Sequence, residues 1–448
     1  MNRKIGILLI LFISFLVFAG CSKKETDNQK GKNSQKENDN AIFEIDPNVE
    51  GEIVYWTRSA NIFEELVEEF NKEYPNIKVN VVVLGGGELE DKLQTTLAAG
   101  SGAPDLAQVG VNSLHRFTTE GLLEDLLQPP YDAGRFQQYV TDYDWNRWKS
   151  LDGKRQLALP WDVTTGVFYY RQDIYEQMGL PSEPEELGEY LQDTENFMNA
   201  AKTLAANDIY MYDWRDLPAV QYGDSVGYFD TDYNWVRNDD KMAELLDVVK
   251  QGIQVGWAPQ LSGLWSDEGK ALMKQGKIAS LSLDSWGARD IKIVLPEQEG
   301  KWRVTKRPLG YTNGGGTSFV IPAQSQQKDA AWAFMQWMTL SEASWKILLE
   351  HAVQPTFTHI TSLPWYEEFT NEYLGGQQEF KLYSSLAETI PVRRYTALDG
   401  PAWNIYIDGL NKAIENNIDS KTALSQIESN VLKELATEIE ELKAAEGK

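Results

Sequence analysis

Residues 53–83 read IVYWTRSANIFEELVEEFNKEYPNIKVNVVV, and this stretch decides the fold. It opens with the apolar run IVYW, which is typical of a buried strand. Apolar residues then recur at helical spacing as far as Tyr74, and Pro75 ends the pattern. From Ile77 onwards apolar residues occupy every second position, which predicts another strand. A strand, a crossover helix and a second strand predict a parallel α/β sheet.

The sequence after residue 83 continues this pattern. Three glycines at 85–87 break the second strand, and leucines at four-residue spacing predict a further helix. Ligands of open α/β sheets bind at the carboxyl ends of the strands. Arg58, Asp105 and Asn112 lie at predicted strand ends and are therefore candidate ligand contacts. Asp105 has an alternative role as a cap for the segment that follows it.

The N-terminus has the features of a secretion signal. Residues 2–4 are polar and basic, and the apolar run at 5–18 is shorter than the roughly 20 residues that span a bilayer. Cys21, the one cysteine in 448 residues, follows two small residues. The arrangement resembles a bacterial lipoprotein signal, with 1–20 removed, Cys21 lipidated and 21–49 a polar linker; the alternative is an ordinary secretory signal with an incidental cysteine.

Composition limits the class of protein. Hydrophobic residues make up 42% of the chain, enough for two globular domains. A formal net charge of −25 argues against a nucleic-acid partner, because phosphate binding needs clustered basic residues. One cysteine and 3 histidines without metal-ligand spacing predict no disulfide framework, no metal site and no cofactor.

Several motifs occur in an order that resembles a known family. They are AAGSGAPD at 98–105, LPWD at 159–162, GVFYY at 166–170 and GGGTSFVI at 314–321. Together with Tyr55 and Trp56, they resemble the family 1 extracellular solute-binding proteins, the carbohydrate-type receptors of ABC importers. Arg171 and Trp161 depart from the family pattern, since they stand where it has an Asn or Asp and a smaller apolar residue.

The resemblance implies an α/β fold of two lobes around a hinged cleft, like that of periplasmic binding proteins. It places chain crossings near 128–130, 312–314 and 354–355. The implied N-terminal lobe comprises 51–129 plus 314–355, and the implied C-terminal lobe comprises 130–313 plus 356–448.

The 15 tryptophans suggest how a sugar is held, because an indole buries the apolar face of a sugar ring. Trp286, beside Asp284, and Trp403 match positions where the family carries aromatic platforms. Each has the alternative of being a buried core tryptophan. The adjacent Trp161 and Asp162 form a further candidate pair, whose alternative is a turn aspartate beside a core aromatic.

Two further clusters complete the candidate site. Trp214 lies in a polar segment that reaches the cleft in the family; a surface loop is the alternative. Arg393 and Arg394 are adjacent guanidinium groups that could grip the carboxylate of a uronate. In so acidic a chain, two surface salt bridges are the favoured interpretation of this pair.

These features predict a monomeric, lipid-anchored receptor outside the cell that is not an enzyme. It would bind a carbohydrate, which we predict to be an oligosaccharide, by closing its lobes, and it would deliver this ligand to the permease of an ABC importer. Two alternatives stay open. One is a secreted carbohydrate hydrolase with paired carboxylates, and the other is a ligand-sensing subunit for a membrane kinase.

Overall fold

The structure, a computed structural model, describes residues 42–58, 60–85, 87–391, 393 and 395–445. The signal segment, Cys21 and Arg394 lie outside these residues. The strands are β1 (Gly51–Thr57), β2 (Ile77–Val83), β3 (Leu106–Gly110), β4 (Leu159–Pro160), β5 (Thr164–Arg171), β6 (Ser280–Asp284), β7 (Trp302–Lys306), β8 (Gly314–Gly315) and β9 (Thr317–Val320).

The helices are distributed along the whole described chain. They are α1 (Ala60–Glu73), α2 (Glu88–Ala99), α3 (Asp142–Asn146), α4 (Gln172–Gln177), α5 (Pro184–Tyr190), α6 (Thr194–Ala205), α7 (Leu217–Val226), α8 (Asp240–Val255), α9 (Asp267–Lys274), α10 (Gly287–Val294), α11 (Lys328–Leu340), α12 (Glu342–Glu350), α13 (Thr358–Thr361), α14 (Pro364–Glu367), α15 (Glu379–Ala387), α16 (Asp399–Glu415), α17 (Ser420–Glu434) and α18 (Ala436–Ala445). Short 3-10 turns join some of them.

The first sheet has the strand order β2-β1-β3-β9-β4. β1 pairs in parallel with β2 and β3, which confirms the prediction made from residues 53–83. Side chains of β1 alternate between its faces: Ile53 and Tyr55 pack with α1 and α11, and Trp56 packs with the leucines of α2. A strand buried on both faces explains why its sequence is almost continuously apolar. We call this sheet with α1, α2, α11 and α12 the first lobe.

The second sheet is antiparallel, with the order β6-β5-β7 and with β8 paired to β5. Phe168 and Tyr170 of β5 pack into a core formed with α5–α8, α16 and α17. Val167 and Tyr169, on the opposite face, belong to a core that continues into the first sheet. We call this sheet with α5–α8, α10 and α15–α17 the second lobe.

The chain passes between the two sheets at short segments. β4 pairs with β9 in the first sheet and β5 belongs to the second, so residues 161–163 form one crossing. β8 belongs to the second sheet and β9 to the first, which makes Gly316 another. The predicted crossing at 128–130 does not take the chain out of the first sheet, because Leu159–Pro160 still pair there.

The C-terminal helix differs from its prediction. Apolar residues from Ile427 to Leu442 predict one amphipathic helix, whereas the structure has α17 and α18 with a break at Leu435. Both Leu435 and Ile439 are buried in the core of the second lobe, so the two helices pack against that lobe on either side of the break. Within the described residues, no helix combines the length and apolar composition that crossing a bilayer requires.

Candidate functional site

A cleft of about 1370 Å³ lies between the two lobes. The first lobe lines it with residues that follow the carboxyl ends of β1 and β3, as expected for an α/β sheet. The second lobe lines it with the start of α10 and the first turns of α16. The predicted site residues that line the cleft are Arg58, Asn112, Trp161, Asp162, Trp286, Arg393 and Trp403.

A hydrogen-bonded network holds the first-lobe wall. Arg58 forms an ion pair with Glu90 of α2, whose side chain is buried. The side-chain oxygen of Gln108 accepts hydrogen bonds from the Arg58 backbone N–H (3.2 Å) and from the Thr57 hydroxyl (3.0 Å). The Gln108 amide nitrogen donates to the Thr317 hydroxyl at 3.3 Å. The network ties β1, β3 and β9 together where they meet the cleft.

Trp286 and Trp403 are half-buried on the second-lobe wall. Trp286 directly precedes α10, in a turn fixed by the Tyr169 hydroxyl, which donates to the Ser285 carbonyl at 2.8 Å. The Trp403 ring lies 6.3 Å from the ring of Tyr406, a buried residue of the same helix. The backbone next to Trp286 is therefore held in place, the Trp403 ring packs near a buried neighbour, and both residues line the cleft while half-buried.

Trp161 lines the cleft but is almost wholly buried. Only 3% of this residue is exposed, and its ring packs 4.8 Å from Phe319 and 5.9 Å from Phe63. Its indole nitrogen is buried and has no hydrogen-bond partner within the described residues. Trp161 is thus largely a core residue that presents one edge to the cleft.

Asp162 lies in the crossing at 161–163 and is 8% exposed. Its carboxylate accepts hydrogen bonds from the Thr317 backbone N–H and from the Thr317 hydroxyl. Its backbone N–H donates to the Thr317 carbonyl, and the next N–H donates to the Gln354 carbonyl. Asp162 therefore joins the crossing segments to one another.

Burial raises the pKa of Asp162 to about 6, although the Thr317 hydrogen bonds, Arg147 and Arg58 act to lower it. The folded protein thus binds this proton more tightly than the unfolded chain, whose aspartate pKa is about 3.9. The contribution of the Asp162 carboxyl group to the free energy of unfolding is fully present below the pKa of the unfolded chain. This contribution is lost as the pH rises through about 6.

We expect the Asp162→Asn variant to gain stability relative to the wild type as the pH rises from 4 to 7. The maximum relative gain is about 3 kcal/mol, since two pKa units correspond to that free energy. Urea unfolding of both proteins at several pH values measures it. A difference that stays constant with pH would contradict the raised pKa.

The Arg147 side chain contacts both chain crossings. Its guanidinium donates to the Gly315 carbonyl at 2.6 Å and to the Asp162 carbonyl at 2.9 Å. It also forms an ion pair with Asp144 at 3.1 Å, and both side chains are at most 10% exposed. We call Arg147 with Asp144 the crossing clasp.

Three predicted site residues do not line the cleft. Asp105 precedes β3, so it lies at the amino end of the strand, where its carboxylate accepts from the Val54 N–H and the Ser325 hydroxyl. Asp284 forms an ion pair with Arg307 at 3.0 Å. Trp214 is 41% exposed on a loop outside the cleft, which matches the surface-loop alternative.

Arg393 lies in the cleft, which differs from the favoured interpretation of a surface salt bridge. Its guanidinium donates to the Asp224 carbonyl and lies 4.0 Å from the centre of the Tyr395 ring. No ion pair to a carboxylate is formed by Arg393 within the described residues. The structure does not describe its predicted partner Arg394.

Sequence reasoning missed several cleft residues, namely Glu90, Gln108, Asp224, Tyr228, Tyr395 and Asp399. Glu90 and Gln108 carry a local signal, because a polar residue is placed on the buried side of a predicted helix or strand. The other four residues have no local sequence signal that marks them as cleft residues. Asp224, for example, meets Arg393 through a hydrogen bond that spans 169 positions of the chain. Among the described residues, no cluster of His, Cys, Asp or Glu could hold a metal ion.

A two-lobe α/β fold with a lined cleft at its chain crossings defines a solute-binding protein of the periplasmic type. A family model described as "Bacterial extracellular solute-binding protein" matches residues 56–345, and the chain belongs to that family.

Similar relatives and a solved structure agree with this assignment. The arabinooligosaccharide-binding protein of Bacillus subtilis (strain 168) is 27% identical over 368 residues, 76% of this chain and 78% of the relative. The arabinooligosaccharide-binding protein of Halalkalibacterium halodurans is 24% identical over 434 residues, 86% of this chain and 92% of the relative. The ABC transporter associated binding protein of B. animalis subsp. lactis Bl-04, in complex with β-1,6-galactobiose, superposes with a TM-score of 0.70 at 20% identity, over 87% of this chain and 98% of that chain. The last comparison shows the shared fold.

Proposed function

We propose that this protein captures an oligosaccharide in the interlobe cleft and presents it to the permease of an ABC importer. The observation that carries the proposal is the pair of half-buried indoles, Trp286 and Trp403, on one wall of the cleft. An indole face stacks on the apolar face of a sugar ring, while the surrounding polar groups pair with its hydroxyls.

The size of the cleft supports a ligand of several rings. Its volume of about 1370 Å³ exceeds the roughly 300–1,000 Å³ of pockets that hold a drug-sized molecule. The relatives named above as arabinooligosaccharide-binding proteins support the same ligand class. Oligosaccharides of arabinose are accordingly the first ligands to test.

Closure of the lobes would couple binding to recognition by the permease. We propose that the lobes move about the crossings at 161–163 and Gly316 and about the predicted crossing at 354–355, with residues 130–160 remaining on the first lobe. The predicted lipid anchor at Cys21 would hold a monomer at the outer face of the membrane, within reach of its transporter.

A hydrolase is the less favoured function. A glycosidase needs two carboxyl groups that face each other across the scissile bond. The cleft carboxylates Glu90, Asp162, Asp224 and Asp290 are each engaged by an arginine or by Thr317. Asp399 keeps one oxygen unpaired, but no second unengaged carboxylate lines the cleft among the described residues. A sensor subunit would use the same cleft and closure, and it differs only in the partner that recognises the closed form.

A thermal-shift screen of the purified full-length chain tests the proposal. The panel contains arabinotriose, galactotriose and xylotriose, with the uronate galacturonotriose. A ligand at 100 times its Kd should stabilise the protein by roughly 2.7 kcal/mol. Stabilisation by a glycan supports the proposal, and silence across the panel contradicts it. Chromatography of the incubated glycans identifies turnover, which would favour the hydrolase.

A further inference from the structure

Two buried polar atoms on the second-lobe wall of the cleft have no hydrogen-bond partner within the described residues. One is Nε of Arg393, a donor, and the other is Oδ2 of Asp399, an acceptor. Both residues line the cleft beside Trp403. Buried polar groups are nearly always paired, so a complementary unpaired donor and acceptor in a binding cleft point to a ligand group.

The orientation of the Asp399 carboxylate is fixed by its other oxygen. Oδ1 accepts hydrogen bonds from the Thr396 backbone N–H at 3.2 Å and from the Thr396 hydroxyl at 2.8 Å. Asp399 is the first residue of α16, and Trp403 follows four positions later. Residues at this spacing lie on the same face of a helix, and both Asp399 and Trp403 line the cleft.

The position of the Arg393 side chain is also fixed by its contacts. One terminal nitrogen donates to the Asp224 carbonyl, and the guanidinium lies over the Tyr395 ring. The Asp224 carboxylate is taken by Arg237 at 3.3 Å, and the Arg237 side chain is wholly buried. The Asp224 carboxylate is therefore already paired, and no ion pair joins it to Arg393 within the described residues.

The charges of the described residues next to Arg393 balance. Arg393 and Arg237 carry two positive charges, and Asp224 and Asp399 carry two negative ones. Burial raises the pKa of Asp399, while the Thr396 hydroxyl and the positive charge of Arg393 act to lower it. A ligand carboxylate placed here would leave a net negative charge in a partly dehydrated site, which is costly.

We propose that Arg393 and Asp399 form a subsite for the hydroxyl groups of an uncharged sugar ring stacked on Trp403. This inference rests on the proposed oligosaccharide function and extends it to the ligand's charge. A hydroxyl accepts from Arg393 Nε and donates to Asp399 Oδ2, alone or as one of a neighbouring pair. A uronate carboxylate can only accept, so it satisfies Arg393 and is repelled by Asp399. The protein therefore selects neutral glycans at this end of the cleft.

Calorimetric titration of the full chain with galactotriose and galacturonotriose, and with arabinotriose and xylotriose, tests the subsite. The tightest ligand should be neutral, and the uronate should bind at least 10-fold more weakly than the best neutral glycan. Asp399→Asn turns the acceptor into a donor but keeps Oδ1, so neutral binding should fall about 10- to 100-fold. The same variant should narrow the preference for the neutral ligand over the uronate by about 10-fold.

Arg393→Lys keeps the charge but removes the Nε donor, and about 10-fold weaker neutral binding is expected. Asp408→Asn is the matched control, because Asp408 lies on the same helix with an exposed ion pair to Lys412. Circular dichroism verifies that each variant is folded. If Asp399→Asn does not fold, the affinity of Arg393→Lys alone tests the subsite. Wild-type neutral affinity in the folded variants would overturn the subsite and leave the proposed function standing. Tighter binding of the uronate would also overturn it, whereas no binding by any glycan would overturn both.

Discussion

Replacing Trp286 or Trp403 by alanine should weaken oligosaccharide binding by roughly 30- to 1000-fold, or about 2 to 4 kcal/mol. Each indole is half-buried, so truncation removes a large stacking face and lets water into the cleft. Titration calorimetry with the best glycan of the screen measures the loss. The largest effect is expected where the sugar ring is most completely covered.

Trp214→Ala is the matched control for this prediction. Trp214 is 41% exposed and does not line the cleft, so its removal should leave the Kd within about twofold of the wild type. Equal losses in all three variants would indicate a general effect on folding. Unchanged binding in both cleft variants would contradict the assignment of these indoles to the ligand.

Breaking the crossing clasp should have the largest effect on stability. Arg147→Ala removes the partner of the buried Asp144 and the donor to the Gly315 and Asp162 carbonyls. Loss of one partner from a buried ion pair costs about 3 to 5 kcal/mol, because the remaining charge is left uncompensated. The free energy of unfolding in urea should fall by that amount.

Two further variants separate the clasp from a general loss of charge. Lys412→Ala breaks an exposed ion pair with Asp408 and should cost less than about 1 kcal/mol. The double variant Asp144→Ala with Arg147→Ala removes both buried charges, so it should be more stable than Arg147→Ala alone. A single variant that unfolds like the wild type would show that the clasp is not needed for stability.

The secondary structure of the first lobe was predictable because its signals are local. The spacing of apolar residues in 53–83 is sufficient to place β1, α1 and β2, since each element buries its own face. The sequence signal for the second sheet is weaker. Its antiparallel strands come from distant segments, such as β5 and β6, and no local sequence pattern indicates which strands pair.

The candidate site was partly predictable, because strand ends and aromatic residues can be recognised in the sequence. Arg58 and Asn112 follow the carboxyl ends of β1 and β3 and reach the cleft. Asp105 was misplaced because it precedes β3, and a strand of five residues separates its two ends by roughly 16 Å. The sequence suggested a strand boundary there but did not indicate which end faced the ligand.

The sequence by itself determined the class of element at each position and the residue types available for binding, because helical and strand periodicity depend on near neighbours. The tertiary structure alone decided which polar side chains remain free for a ligand. The Asp284 carboxylate is paired with Arg307, and the Asp224 carboxylate is paired with Arg237, so Arg393 keeps its proposed role beside Asp399. The availability of a charged group depends on its partners, and these partners are brought together by packing over long sequence separations.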